Sequence, residues 1–116
     1  MKTFFYLASC GTCQRIMKEL ELGDDVALRE IKSQPISEEE VDAMKALAGS
    51  YEALFSKRAM KYRAMGLHEQ DLTEADYRRL IIEEYTFLKR PVLLMEDQVF
   101  VGNTKQVVTE AYAALH

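Results

Sequence analysis

The sequence predicts an α/β protein in which a small mixed sheet is interrupted by an all-helical insertion. The prediction rests on how the spacing of apolar residues changes along the chain. Residues 2–31 have the pattern of a strand, a helix and a second strand, and residues 88–115 have that of a hairpin and a final helix. The segment between them has helical spacing throughout. The element order is therefore β-α-β, a helical block and then β-β-α.

In the first part of the chain the apolar residues have strand spacing, then helical spacing, then strand spacing again. A buried strand is predicted over Lys2–Leu7 because the stretch is apolar and aromatic. A helix is predicted over about 13–22, and we expect Gly23 to end it in the left-handed conformation. Alternating apolar residues predict a second strand over Val26–Ile31, although Glu30 interrupts the alternation.

Two capping boxes mark helix starts in the central block. Ser37 with Glu40, and Thr73 with Asp76, have the spacing at which a hydroxyl and an acidic side chain exchange hydrogen bonds with the first turn. Gly49 is expected to end the first of these helices. Two shorter helices are predicted between them, at 51–55 and at 57–65, with Gly66 ending the second.

The last part of the chain predicts a hairpin and a capped helix. A buried strand within Leu88–Met95, a tight connection and a return strand over Val99–Val101 form the hairpin. Thr104 is the predicted N-cap of a final helix, whose expected inward residues are Val107, Val108, Ala111, Tyr112 and Leu115. This order is the thioredoxin-like arrangement. We predict a single thioredoxin-like domain over 1–116, with the helical insertion at 35–87.

Composition excludes several classes of function. The chain of 116 residues is 48% apolar and 29% charged, which is typical of a globular protein with a real core. A net charge of −4 disfavours direct nucleic-acid binding. The chain has no apolar run long enough to span a membrane, and Phe4–Ala8 is too short for a signal-peptide core. We expect a cytoplasmic protein without a membrane partner.

Both cysteines lie in one motif, Ser9-Cys10-Gly11-Thr12-Cys13, between the first strand and the first helix. Unpaired N–H groups at a helix N-terminus stabilise a thiolate, which is the reactive form of cysteine. We therefore expect Cys10 to be the nucleophile and Cys13, one turn later, to resolve the mixed disulfide. In a reducing compartment such a pair is more often catalytic or sensory than structural.

Two other interpretations of the cysteine pair stay open. The motif can form half of a zinc site, but the only imidazoles, His68 and His116, lack the short spacing of zinc ligands. The two cysteines can also be packed side chains without chemistry, since free cysteine is often buried. No metal and no bound cofactor are predicted.

Three motifs together resemble the arsenate reductase (ArsC) and Spx group of thioredoxin-fold proteins. They are the cysteine motif, the segment Ala53–Arg58 and the segment Leu88–Val92. The resemblance spans nearly all of the chain. It implies that Cys10 matches the nucleophile that attacks arsenate in the reductases. It also implies that Arg90 lies beside that cysteine and that Pro91 is a cis-proline facing it.

These implied roles fit the chemistry of the side chains. A guanidinium stays charged, can hold an oxyanion through two hydrogen bonds, and favours a nearby thiolate. The catalytic residues implied in this way are Cys10, Cys13, Arg90 and Arg58. The implied substrate-binding residues are Gly11, Thr12, Pro91 and Lys105.

The chain departs from the glutathione-coupled reductases at three positions. In those enzymes an arginine directly follows an apolar pair in the helical insertion. Here the pair is Leu54-Phe55, and Ser56 follows it. Arg58 comes two residues later, an arrangement that resembles the Spx proteins. Their third arginine falls where this chain has Lys105. A lysine can replace the positive charge but not the paired hydrogen bonds of a guanidinium. Cys13 also matches the Spx side, because those reductases usually lack a second cysteine there.

The favoured function is that of an arsenate reductase-like thiol oxidoreductase, acting on a small oxyanion such as arsenate or on a protein disulfide. Electrons are expected from glutathione and glutaredoxin, or from thioredoxin. The alternative is an Spx-like redox-sensing transcriptional regulator that binds the RNA polymerase alpha subunit. Gly49 aligns with a glycine important for that contact, although it also serves as a helix stop. A third alternative is a binding or structural domain with vestigial cysteines.

Overall fold

The computed structural model describes residues 2–116, which form two compact units. One unit comprises residues 2–34 and 90–116, and we call it the sheet unit. The other comprises residues 35–89, and we call it the helical unit. The assignment of both units to one domain, with an insertion at 35–87, stays a prediction.

The sheet unit contains four strands in the order β2-β1-β3-β4. Their ranges are Lys2–Tyr6 for β1, Val26–Glu30 for β2, Val92–Leu94 for β3 and Val99–Val101 for β4. β1 runs parallel to β2 and antiparallel to β3, and β3 and β4 form the antiparallel hairpin. The mixed sheet and the hairpin were both predicted from the sequence, and both are confirmed.

Two helices complete the sheet unit, α1 over Gly11–Leu20 and α5 over Lys105–Leu115. Thr104 caps α5 as predicted, its hydroxyl accepting a hydrogen bond from the Val107 N–H. The expectation that Tyr112 faces the core is wrong, because the residue is 40% exposed and its hydroxyl donates to Glu21 Oε2 at 3.1 Å. One cluster of buried core residues in this unit consists of Phe4, Ile16, Leu20, Val26, Leu93 and Ala111.

The limits of α1 differ from the prediction at both ends. The helix begins at Gly11 rather than at residue 13, because Cys10 itself is the N-cap. It ends at Leu20, and Glu21 takes the left-handed conformation with a φ of 50°. The prediction for Gly23 is therefore wrong. The helix has already ended at that point, and Gly23 accepts the hydrogen bond that starts the turn into β2.

The helical unit contains α2 over Glu38–Ala48, α3 over Met60–Ala64 and α4 over Glu74–Glu83. Both capping boxes are confirmed, and Gly49 and Gly66 end their helices with positive φ angles of 101° and 72°. Short 3₁₀ helices connect these elements at Glu52–Leu54, Leu67–Glu69 and Tyr85–Phe87. The first of them corresponds to the predicted helix at 51–55.

Phe55 is the centre of the helical unit's core. Its ring stacks on Phe87 at a centroid distance of 5.0 Å and contacts the rings of Tyr77 and Tyr62 at 4.9 Å and 5.8 Å. Tertiary packing of this kind, rather than helix propensity, stabilises helices as short as these. No helix within residues 2–116 is long and apolar enough to cross a membrane.

Candidate active site at the N-terminus of α1

The strand directions bring three loops to the same end of the sheet. Phe5 near the end of β1 pairs with Val92 at the start of β3, and Val92 pairs with Val101 at the end of β4. The loop carrying Cys10, the Arg90–Pro91 peptide and the turn after β4 therefore lie at one sheet end. Gly102 N–H donates to the Pro91 carbonyl at 2.9 Å, which joins the second loop to the third.

Cys10 occupies the N-cap position of α1. Its backbone is extended, and its Sγ accepts a hydrogen bond from the Cys13 N–H at 3.4 Å. Ser, Thr, Asp and Asn usually hold this position, where a side-chain acceptor satisfies one of the free N–H groups. Here a sulfur replaces the oxygen. The first turn of the helix therefore points its N–H groups at a half-buried thiol.

This arrangement favours ionisation of Cys10. Burial raises the pKa of its thiol, but hydrogen bonds from Cys13 and from the Thr12 backbone, together with the Arg90 charge, lower it. The net pKa of Cys10 lies below its ordinary value. Because the thiolate is the attacking species, more of Cys10 is reactive near neutral pH than of an ordinary cysteine.

Cys13 has the opposite character. Its side chain is fully buried in the first turn of α1. The pKa of the Cys13 thiol is raised to about 11, because burial and the nearby Cys10 sulfur outweigh the hydrogen bond with the Leu7 backbone and the Arg90 charge. The pKa values of the two thiols in one motif are therefore shifted in opposite directions.

The loop before Cys10 is anchored on both sides. Cys10 N–H donates to the Leu7 carbonyl at 3.0 Å. Glu30 at the end of β2 accepts a hydrogen bond from Ala8 N–H at 2.9 Å, and the Gln14 amide in α1 donates to the Ala8 carbonyl at 3.2 Å. The pKa of Glu30 is lowered, first by the Ala8 N–H and then by the Ser33 N–H.

The Arg90–Pro91 peptide bond is cis, as the sequence resemblance implied. Pro91 is buried and Arg90 is half-buried. The Arg90 charge is close enough to both thiols to favour their ionised forms, although burial keeps the net pKa of Cys13 raised. The position of Arg90 near the cysteine motif agrees with the resemblance, while the facing of Cys10 by Pro91 stays a prediction.

Of the other predicted site residues, Thr12 contacts Cys10 through its backbone, whose N–H donates to the Cys10 sulfur. Gly11 is exposed, and a Cβ at this residue would have open space around it. Lys105 is the exposed first residue of α5, at the same sheet end. Arg58 is exposed in a turn of the helical unit. The substrate and catalytic roles of these residues stay predictions.

Sequence reasoning missed Glu30 and Gln14. The one signal was the interruption of the alternating pattern of the second strand by Glu30. Its contact with Ala8 joins residues 22 positions apart, which no local pattern reveals. Within residues 2–116, no three His, Cys, Asp or Glu side chains lie together in an arrangement that could hold a metal ion.

Comparison with known proteins identifies the family. A profile of the ArsC family matches residues 5–111 of this chain. The chain belongs to the ArsC family. The uncharacterized protein YusI of Bacillus subtilis strain 168 is 30% identical over 115 residues, covering 96% of this chain and 98% of YusI.

Two further similar proteins correspond to the two groups that the sequence resembles, the Spx proteins and the arsenate reductases. The global transcriptional regulator Spx 2 of Bacillus anthracis is 26% identical over 105 residues, covering 88% of this chain and 79% of Spx 2. The arsenate reductase structure from Vibrio cholerae superposes with a TM-score of 0.80 at 17% identity, covering 95% of this chain and 96% of that one. The predicted thioredoxin-like α/β class of this ArsC-family protein is thereby confirmed.

Proposed function

We propose that this ArsC-family protein is a thiol–disulfide redox protein in which Cys10 is the nucleophile and Cys13 the resolving thiol. The observation that carries the proposal is the position of Cys10 as N-cap of α1, with its sulfur accepting the Cys13 N–H. Preorganised donors aimed at a sulfur stabilise negative charge there. The proposed setting is the reducing cytoplasm, where the dithiol form is maintained.

With a disulfide substrate, the Cys10 thiolate attacks one sulfur of the substrate. A bond forms between that sulfur and Cys10, the substrate disulfide breaks, and the other substrate sulfur leaves as a thiolate that takes up a proton. Cys13 then loses its proton and attacks the Cys10 sulfur, which releases the second substrate thiolate. The substrate gains two electrons, and the protein is left with a Cys10–Cys13 disulfide. A dithiol donor such as thioredoxin, or glutathione with glutaredoxin, restores the reduced pair.

The different pKa values of the two thiols fit this order of events. Burial, and then the neighbouring Cys10 sulfur, raise the pKa of Cys13, whereas the pKa of Cys10 is lowered, so Cys10 loses its proton more readily than Cys13. Once Cys10 is bonded to substrate, it no longer carries a negative charge. That contribution to the raised pKa of Cys13 then disappears, so that Cys13 ionises more readily when its attack is required.

Arsenate is the candidate oxyanion substrate. Arg90 at the same sheet end could hold two of its oxygens, with Lys105 and Arg58 as the further cations implied by the resemblance. Attack of Cys10 on arsenic would displace an oxygen as water or hydroxide. Cys13 or a donor thiol would then attack the Cys10 sulfur, the sulfur–arsenic bond would break with its electron pair passing to arsenic, and arsenite would leave. Cys10 would be left in a disulfide with Cys13 or with the donor, which a further donor thiol would reduce.

The test measures arsenate-dependent NADPH oxidation coupled through glutathione, glutaredoxin and glutathione reductase, and in parallel through thioredoxin and thioredoxin reductase. We expect turnover with arsenate or with a disulfide substrate, and none with Cys10→Ser. Cys13→Ser should trap a mixed disulfide on Cys10 that mass spectrometry detects. If the wild-type protein turns over neither substrate and forms no Cys10–Cys13 disulfide, the proposal is wrong.

The similarity to Spx 2 supports a second candidate, a redox-sensing transcriptional regulator. In this proposal the Cys10–Cys13 disulfide is the switch and the RNA polymerase alpha subunit is the partner. Pull-down of the alpha subunit with the reduced and the oxidised protein tests it. Binding that differs between the two forms would support the regulator, and the same absence of binding in both forms would exclude it.

A further inference from the structure

The Ala8 peptide is the most strongly anchored part of the loop that carries Cys10. Its N–H donates to Glu30 Oε2 at 2.9 Å, and its carbonyl accepts from Gln14 Nε2 at 3.2 Å. The two partners come from different elements, Glu30 from the end of β2 and Gln14 from α1. The peptide is thus fixed from the sheet on one side and from the helix on the other.

Glu30 is itself held in place by a second set of contacts. Its Oε1 accepts from the Ser33 N–H at 2.8 Å and from the Ser33 hydroxyl at 2.9 Å. Both carboxylate oxygens are therefore used, one for the turn after β2 and one for Ala8. A hydrogen bond to an ionised carboxylate is stronger than one between neutral groups, so Glu30 is a firm anchor although it is only half-buried.

We propose that Glu30 and Gln14 are positioning residues that hold the loop 7–10 so that the Cys10 sulfur stays over the first turn of α1. The inference rests on the proposed role of Cys10 as nucleophile. The two residues act through the backbone, because Ala8 lies only two residues before Cys10. The bond from Cys10 N–H to the Leu7 carbonyl closes the same loop.

Charge and geometry predict effects of opposite sign. A carboxylate near a thiolate disfavours the thiolate, so loss of the Glu30 charge alone would lower the pKa of Cys10 and speed its reaction. Loss of the Ala8 anchor would let Cys10 move away from the N–H groups of Cys13 and Thr12, which would raise that pKa and slow the reaction. The direction of the change therefore separates a positioning role from a purely electrostatic one.

The experiment measures the rate of Cys10 alkylation by iodoacetamide as a function of pH, by mass spectrometry of the full-length protein. For Glu30→Ala and for Gln14→Ala we expect rates near neutral pH about five-fold lower than wild type, the effect of losing one hydrogen bond of ordinary strength to Ala8. The apparent pKa of Cys10 should rise in both variants. Hydrogen exchange of the Ala8 amide should become faster in Glu30→Ala.

Glu21→Ala is the matched control, because it makes the same substitution at the other end of α1, where Glu21 accepts from Tyr112. We expect its alkylation profile to equal that of wild type. Unchanged or faster alkylation in both Glu30→Ala and Gln14→Ala would overturn the inference. A wild-type Cys10 that reacts like an ordinary thiol would instead contradict the proposed function, so the two failures are distinguishable.

Discussion

Two polar contacts, one in each unit of this protein, serve different purposes. In the sheet unit, Glu30 and Gln14 bind backbone atoms of the loop that carries the reactive cysteine. In the helical unit, Asp42 and Arg78 bind each other through two hydrogen bonds of 2.8 Å and 3.1 Å. The first arrangement fixes the position of a functional group, while the second ties one helix to another. Changes in the sheet unit should therefore alter thiol reactivity, and changes in the helical unit should alter stability.

The largest effect is expected at Cys10. Cys10→Ser should reduce thiol-dependent turnover by about 10³-fold or more, because the attacking sulfur is lost. The unfolding midpoint should change little, since serine is a preferred N-cap residue. Cys13→Ser is the matched variant, and it should keep the first attack while losing resolution. Equal turnover in wild type and Cys10→Ser would contradict the assignment of Cys10 as the reactive thiol of the sheet unit.

The largest effect on stability is expected at Phe55. Phe55→Ala should lower the free energy of unfolding by about 3–5 kcal/mol, because it empties the space between Phe87, Tyr77 and Tyr62. Denaturant unfolding measures the loss, with Phe55→Leu as the milder control. At temperatures where the variant is folded, the alkylation rate of Cys10 should equal that of wild type. A variant with altered Cys10 reactivity but normal stability would contradict the comparison.

A moderate effect on reactivity is expected at Arg90. Its charge lowers the pKa of Cys10, so Arg90→Met should slow Cys10 alkylation near neutral pH by about three- to ten-fold. Arg90→Lys keeps the charge and should lie between wild type and Arg90→Met. An alkylation profile of Arg90→Met that superposes on that of wild type would show that Arg90 does not act on the thiol.

The smallest effect concerns the acid stability of the helical unit. Hydrogen bonds from Arg78, and then from Tyr51, lower the pKa of Asp42 from 3.8 to about 2. Because the folded pKa lies below the unfolded one, this stabilisation is complete above pH 3.8 and is lost as the pH falls toward 2. Asp42→Asn should therefore be less stable than wild type at pH 6, and the difference should vanish near pH 2.

Asp71→Asn, at an exposed aspartate of the same unit, is the control for this pH series. It should follow wild type at every pH. A difference between wild type and Asp42→Asn that stays constant from pH 6 to pH 2 would exclude ionisation of Asp42 as its cause.

Local signals predicted much of the fold. The capping boxes at Ser37 and Thr73, and the helix stops at Gly49 and Gly66, were read correctly because each depends on a few neighbouring residues. The start of α1 was placed two residues late, because cysteine is not a typical N-cap and its role there follows from the Cys13 contact.

Features that depend on contacts between distant residues could not be predicted from the sequence. Glu21 rather than Gly23 takes the left-handed conformation, and Glu21 is held by Tyr112 from the other end of the chain. The anchoring of Ala8 by Glu30 likewise joins the end of β2 to the loop after β1. The cis bond before Pro91 was expected only from the resemblance to the family, since spacing and periodicity carry no information about it.

The central claim is that the fold lowers the pKa of Cys10 and raises that of Cys13. The most direct test follows alkylation of each thiol separately across pH 5 to 11, by mass spectrometry of the reduced protein. The account predicts that Cys10 reacts with an apparent pKa below that of an ordinary thiol, and that Cys13 stays unreactive until far higher pH. Equal rates for the two cysteines, both rising only at the pKa of a free thiol, would contradict it.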